Sequence, residues 1–221
     1  MPEPLRLPLT VGHEVEDAKA ELRKVIREHR RSRSAAELER LGHELASQGV
    51  QAVGDARTVA LYVSTGSEPP TLPLLDALHA RRIQVLLPAL GPGLARQWAL
   101  YMGSQDLTHQ APGRPPEPSG PRLPAEAIQR ADVIITPALA IDGMGNRLGQ
   151  GGGWYDRVLK LVDRDVPTFT MLFDDELVDS QLLPSDSLDV PIQAVITPTQ
   201  VFLLEGSRLQ RDTLEKVQAA S

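Results

Sequence analysis

Apolar residues recur at helical spacing from the start of the chain. Val15, Ala18, Leu22 and Ile26 stand three or four positions apart with charged residues between them, which predicts an amphipathic helix over about residues 14–33. Ser34 followed by Glu37 is a capping-box pattern, so a second helix is expected there, carrying Leu38, Leu41 and Leu45 inward until Gly49. Two helices therefore precede the first strand. Residues 58–64 (TVALYVS) are a short β-rich run ended by Gly66 and Pro69, and residues 83–88 (IQVLLP) are another, with a helix expected over 72–82 between them. Residues 97–102 form a further strand candidate. The stretch 103–124 is rich in Pro and Gly, lacks periodicity and reads as a long loop. Residues 132–136 (DVIIT) have the pattern of a buried strand, a Gly-rich loop follows, and 154–162 looks helical. Strands over 166–173 and 194–197 and an edge strand over 201–204 complete the pattern.

This alternation predicts an α/β fold: a single open, mostly parallel sheet with helices on both faces, a Rossmann-like three-layer sandwich. At 221 residues one domain suffices, and it is expected over 14–206, after a flexible segment 1–13 and before a polar tail 207–221. A formal charge of −6 gives no general attraction to nucleic acid or anionic lipid, so any anion site must be built locally. The absence of cysteine excludes disulfide scaffolds, thiolate metal sites and cysteine nucleophiles. No apolar run approaches the roughly 20 residues that span a bilayer, and residues 1–12 lack a cationic start before an apolar stretch, so a cytoplasmic protein is expected.

The segment 146–157, NRLGQGGGWYDR, has four glycines in five positions between a strand and a helix. Glycine permits positive φ and close approach of backbone amides to a ligand, and amides at a helix start attract phosphate. An anion cradle is one reading; a flexible turn is the other. The segment lacks the Gly-Lys-Ser/Thr of a Walker A loop, and Trp154 stands where a dinucleotide fingerprint starting at Gly149 needs its third glycine. Arg147 offers a phosphate partner and Asp156 a hard oxygen ligand suited to magnesium, although an acid there could equally answer the helix dipole. Lys19 and Arg23 lie four apart in the first helix, with Arg27 a turn further, and could grip a polyphosphate together; a solvated basic face is the ordinary alternative. Glu68 follows the first strand at its carboxyl end, where open α/β sheets bind ligands, or it is an exposed loop acid. The five histidines have no ligand spacing, and neither GxSxG nor HExxH occurs, so hydrolase and zinc readings fall away.

Taken in order, these residues resemble the 5-formyltetrahydrofolate cyclo-ligase (methenyltetrahydrofolate synthetase) family across nearly the whole chain. The resemblance rests on Lys19, Leu22 and Arg23, on YVSTGSEPPT with Glu68, on PGRPPEP with Glu117, on DVIITPALAIDGMGNRLGQGGGWYDR, and on FDDELVDSQLLPSDSLDVPIQAVITP. It implies that Lys19, Arg23, Arg147, Gly149, Gly151, Gly152, Gly153 and Tyr155 hold ATP. It also implies that Val63, Glu68, Gln150, Gly151, Gly152, Gly153 and Trp154 contact the folate and that Asp156 and Asp189 hold Mg²⁺. The implied substrate is 5-formyltetrahydrofolate, with or without a polyglutamate tail, and the implied enzyme is a monomer or weak dimer. The formyl oxygen is phosphorylated and N10 closes the ring, chemistry that needs positioning and charge neutralisation, and no residue is assigned as acid or base. The chain departs from the family pattern at three positions. Gln150 stands where an aromatic or basic residue is common, Trp154 replaces a tyrosine, and Leu188 replaces a histidine. A degenerate folate- or nucleotide-binding protein is the competing reading. A sugar-phosphate isomerase or CoA-transferase-like enzyme is a third, because a fold does not fix a function.

Overall fold

In the computed structural model, which describes residues 5–91, 93, 95–110, 114–178, 182–205 and 207, the chain opens with two helices, α1 (Val15–Arg30) and α2 (Ala35–Val53). All but Ser207 of the polar tail expected over 207–221 lies outside the described residues. Ser34 caps α2 as its pattern predicts, its hydroxyl accepting the Glu37 N–H at 3.2 Å. The helix does not stop at Gly49, however, but runs on to Gly54, whose positive φ of 56° ends it. Gly49 is there for packing: a Cβ at that position would lie 2.6 Å from Leu74 Cδ2 of α3 (Leu72–Ala80), and one at Gly42 would lie 3.0 Å from Pro70 Cβ. The two glycines let α2 lie close against α3 and its N-terminal approach.

The remaining elements in chain order are β1 (Thr58–Ala60), β2 (Gln84–Leu90), β3 (Arg96–Leu100), β4 (Leu107–Thr108), β5 (Glu117–Pro118), β6 (Val133–Pro137), β7 (Ala140–Asp142) and β8 (Arg147–Leu148). They continue with α4 (Trp154–Leu159), β9 (Thr168–Met171), β10 (Leu177–Val178), β11 (Ala194–Ile196) and β12 (Val201–Leu203). Seven strands form one sheet in the order β12-β11-β9-β6-β1-β2-β3. The five inner strands are parallel and the two edges, β12 and β3, are antiparallel. The inner strands β6 and β9 are buried almost throughout, as strands covered on both faces must be. From β1 the chain steps outward to β2, then returns past β1 to β6 and proceeds the other way to β9 and β11. With right-handed crossovers this reversal puts α3 and α4 on opposite faces and opens a crevice at the carboxyl ends of β1 and β6.

Two regions that lack periodicity carry structure of their own. The 103–124 stretch is not a bare loop: it holds a 3-10 turn (Ser104–Asp106) and the two-stranded β4/β5 ladder, and its Leu123 pairs with Trp98 through backbone bonds of 2.7 and 3.0 Å. Around the glycines, β10, β7 and β8 make a small three-stranded sheet. These two- and three-residue strands are too short to show a period of two. The apolar stripe of α1 packs on this small sheet, where Leu22 and Ile26 meet Leu139, Ala140, Leu148 and Val178. Leu5 and Leu7, within the leading segment, pack against the same cluster. The carboxyl half of α1 is fixed by ion pairs: fully buried Arg30 donates to both oxygens of Glu176 at 2.6 and 2.7 Å, and Arg33 donates to Asp175 while lying over the Phe173 ring. Among the described residues no helix is long and apolar enough to cross a membrane.

Candidate active site

A cavity of ≈ 580 Å³ lies where the sheet topology opens its crevice. The chain just after β1 contributes Tyr62, Val63 and, through its turn, Thr65 and Glu68; β6 contributes Pro137, and β8 contributes Arg147. The glycine loop and α4 supply residues 149–157, α1 supplies Glu16, Lys19 and Arg23 from one face, and a late segment supplies Asp186, Leu188 and Asp189. Every residue that the family resemblance assigns to ATP, folate or Mg²⁺ lines this one cavity.

The glycine loop lies against α1. Arg23 Nε donates to the Gly149 carbonyl at 3.0 Å, and Gly151 has a φ of +106°, a conformation that side chains rarely adopt. A Cβ on Gly151 would meet the Arg23 guanidinium carbon at 3.6 Å, an ordinary contact, so the positive φ rather than a lack of space calls for glycine there. Arg27 does not reach the cavity with Lys19 and Arg23. It is occupied by Gln150, donating to the side-chain Oε1 at 3.1 and 2.8 Å and to the backbone carbonyl at 3.0 Å. Gln150 in turn donates from Nε2 to Glu68 Oε1 at 2.9 Å, and the second oxygen of Glu68 accepts the Thr65 backbone N–H at 2.8 Å and its hydroxyl at 3.2 Å.

At the other end, Lys19 Nζ lies 2.7 Å from Asp189 Oδ2 and 3.1 Å from Asp186 Oδ2, with only 5% of its side chain exposed. Burial works against the ammonium charge, but hydrogen bonds and Coulombic attraction from Asp189 and Asp186 outweigh it and raise the pKa above the ordinary lysine value. Asp186 is shifted down, first by the Leu188 N–H that it accepts and then by Lys19. Arg147 Nη2 donates to Asp156 Oδ1 at 2.8 Å, and its Nη1 donates to the Pro137 carbonyl at 3.0 Å. Behind these groups, buried Asp142 accepts from the backbone N–H groups of Met144, Asn146 and Leu183 and from the Asn146 amide, at 2.8–3.0 Å. That one carboxylate ties the turn before Arg147 to the segment leading to Asp186, a role its sequence position gives no sign of.

Among the described residues, four buried polar atoms at the cavity have no hydrogen-bond partner: the hydroxyls of Tyr62 and Tyr155, Trp154 Nε1 and Arg147 Nε. Such groups are rare in finished interiors and are expected where a ligand or ordered water completes the bonding. Burial pushes both tyrosine hydroxyls up from their ordinary pKa, so they remain neutral donors at physiological pH. The ring of Trp154 packs edge-on against fully buried Trp98, with centroids 4.8 Å apart, so it joins the core to the cavity wall. Asp156 and Asp189 each have one oxygen engaged by a cation and a backbone N–H, while the other accepts nothing from the described residues. No group of three or more His, Cys, Asp or Glu that could hold a metal occurs among the described residues. Magnesium needs only one or two carboxylates when phosphate oxygens and waters complete its shell, so the donor set fits a Mg²⁺ that binds together with a phosphate ligand.

The model of the 5-formyltetrahydrofolate cyclo-ligase family matches residues 15–198. A 5-formyltetrahydrofolate cyclo-ligase of Mycolicibacterium smegmatis is 39% identical over 188 residues, covering 82% of this chain and 94% of the relative. The Escherichia coli enzyme of the same name is 32% identical over 183 residues, covering 80% and 99%. Among solved structures, the 5,10-methenyltetrahydrofolate synthetase of Aquifex aeolicus superimposes with a TM-score of 0.70 at 28% identity, covering 87% of this chain and 95% of that one. The Mycoplasma pneumoniae synthetase shares the fold, with a TM-score of 0.62 at 20% identity over 80% of this chain and 97% of that one.

Proposed function

The chain belongs to the 5-formyltetrahydrofolate cyclo-ligase family, and from that premise we propose that it closes 5-formyltetrahydrofolate to 5,10-methenyltetrahydrofolate in the cytoplasm, using ATP and Mg²⁺ and releasing ADP and phosphate. The observation that carries this reading is the single cavity on which the basic face of α1, the glycine loop and Glu68 converge. Its ≈ 580 Å³ lies within the roughly 300–1,000 Å³ of small-molecule sites.

In the proposed reaction the N5-formyl oxygen attacks the γ-phosphorus of ATP and the bond to ADP breaks, leaving the formyl oxygen phosphorylated and its carbon activated. N10 then attacks that carbon and gives its proton to solvent. The C–O bond breaks, phosphate leaves with the former formyl oxygen, and the methenyl bridge remains. Each step moves negative charge among oxygens, so fixed cations and amides can do most of the work. Lys19, Arg23 and Arg147 bring three positive charges to the polyphosphate, and the backbone N–H groups of Gly149, Gly151, Gly152 and Gly153 add donors, with Tyr155 beside them. Glu68 accepts N–H groups of the pterin, Trp154 offers an aromatic face, and Val63 completes the folate side, where Gln150 holds Glu68 in the free protein. Asp156 and Asp189 would hold Mg²⁺, which when bound neutralises charge on the phosphates.

Incubation with 5-formyltetrahydrofolate and MgATP, following the absorbance of the conjugated methenyl product, tests the reading. Product is expected only when both substrates are present. No product at saturating concentrations of both would overturn it, and binding of both without turnover would identify a folate- and nucleotide-binding protein instead.

A further inference from the structure

Glu68 has both carboxylate oxygens occupied by the protein itself. Thr65 takes Oε2 with its backbone N–H and hydroxyl, and the Gln150 carboxamide takes Oε1 at 2.9 Å. The Thr65 bonds hold the carboxylate within its own turn, three residues away. The Gln150 bond differs, since it comes from the glycine loop, 82 positions distant. A carboxamide N–H has the same donor character as the ring N–H and amino group of a pterin. The group on Glu68 Oε1 is therefore a chemical stand-in for the edge of the substrate.

We propose that Gln150 is an internal competitor for the folate: in the free protein its carboxamide holds the Glu68 oxygen that a pterin N–H takes, and folate binds by displacing it. This rests on the reading of Glu68 given under Proposed function. Three observations support it. Gln150 is exposed, so its side chain can leave without unpacking any core. Its backbone carbonyl accepts from Arg27 Nη2 at 3.0 Å, so the loop keeps this tether when the side chain swings away and gives up the two bonds that Arg27 Nε and Nη2 make to Oε1. Its neighbours Gly149 and Gly151 carry no side chains to obstruct the swing.

The consequence is an affinity penalty built into the free enzyme. The competing bond is one exposed hydrogen bond to a carboxylate, so removing it should tighten folate binding about two- to tenfold. That sign is opposite to the one expected if Gln150 only contacts the substrate.

The test is calorimetric titration of 5-formyltetrahydrofolate without ATP into the parent protein, Gln150→Ala and Gln150→Asn. The alanine variant removes the carboxamide and keeps the backbone tether, and the shorter asparagine amide does not span from Arg27 to Glu68. Both should bind folate more tightly than the parent, and the Gln150 side-chain amide resonance of the parent should shift when folate is added. Weaker binding by both variants would make Gln150 a direct folate contact and overturn the proposal; unchanged affinity would overturn it as well. If neither the parent nor the variants bind 5-formyltetrahydrofolate, the functional reading itself falls, an outcome distinct from either of these.

Discussion

Lys19 and Asp189 are bonded to each other at 2.7 Å, although the family resemblance gives the lysine to ATP and the aspartate to magnesium. Arg147 and Asp156 repeat the arrangement at 2.8 Å. In the free protein the cations that the resemblance assigns to phosphate thus neutralise the carboxylates that it assigns to metal. An incoming phosphate and divalent cation can exchange with both pairs and leave no partly buried charge alone, which avoids the large cost of an unpaired ion.

Lys19→Ala should lower ATP affinity about tenfold or more, from the loss of a charged hydrogen bond to phosphate, and leave folate affinity near that of the parent. Isothermal titration with each ligand separates the two; a loss confined to folate would refute the assignment. The pH dependence has a definite sign. The folded pKa of Lys19 is raised above 10.5, so its stabilising contribution is fully present below that value and is lost as pH rises through the higher folded value. That of Asp186 is lowered from 3.8, so its contribution is present above that value and is lost as pH falls through the lower folded value. The difference in thermal midpoint between parent and Lys19→Ala should therefore be flat across neutral pH and shrink only at the two extremes.

Asp156→Asn and Asp189→Asn should each raise the Mg²⁺ concentration needed for half-maximal turnover, and each should lower the thermal midpoint of the free protein by leaving Arg147 or Lys19 with a weaker partner. Leu188→His should change turnover only modestly. Leu188 is 66% exposed, and magnesium prefers oxygen to imidazole. An inactive parent restored by Leu188→His would show that this chain has lost its chemistry along with the histidine.

Glu68→Gln keeps the shape of the side chain but converts half of its acceptor into a donor; with the remaining oxygen kept by the Thr65 N–H, the new donor meets the pterin N–H. Folate affinity should fall about tenfold or more while ATP affinity stays near normal, as equilibrium titration can measure. Equal folate affinity in variant and parent would reduce Glu68 to a residue that only shapes its own turn.

Arg30→Met should destabilise the fold by about 3–5 kcal/mol, because it leaves the Glu176 carboxylate, itself 1% exposed, buried without the cation bonded to both its oxygens and with only Arg33 at 4.0 Å. Urea unfolding gives the number. Arg30→Met combined with Glu176→Met should recover part of the loss, since the isolated charge is then gone. A double variant as unstable as the single one would mean that the bonds to the Ala138 carbonyl and the Phe173 N–H matter more than the pairing of charge.

What the sequence determined by itself was whatever a short window encodes. The three-to-four spacing from Val15 to Ile26 specifies a helix with an apolar stripe, the same period puts Lys19 and Arg23 on one face, and the apolar runs at β1, β2, β6, β9 and β11 specify buried strands. The four glycines and the position of Glu68 after β1 marked the cavity wall for the same reason, since backbone freedom and the end of a strand are local properties. The tertiary structure alone decided which of these pieces touch. Gly49 reads as a helix stop until α3 is laid against it, and β7, β8 and β10 exist only because they pair with one another. Arg30 reads as a surface cation until Glu176, 146 residues later, meets it in the interior. Arg27 reads as a third phosphate ligand until Gln150 takes it. Such pairings depend on chain path and mutual burial, and residue spacing carries no record of either.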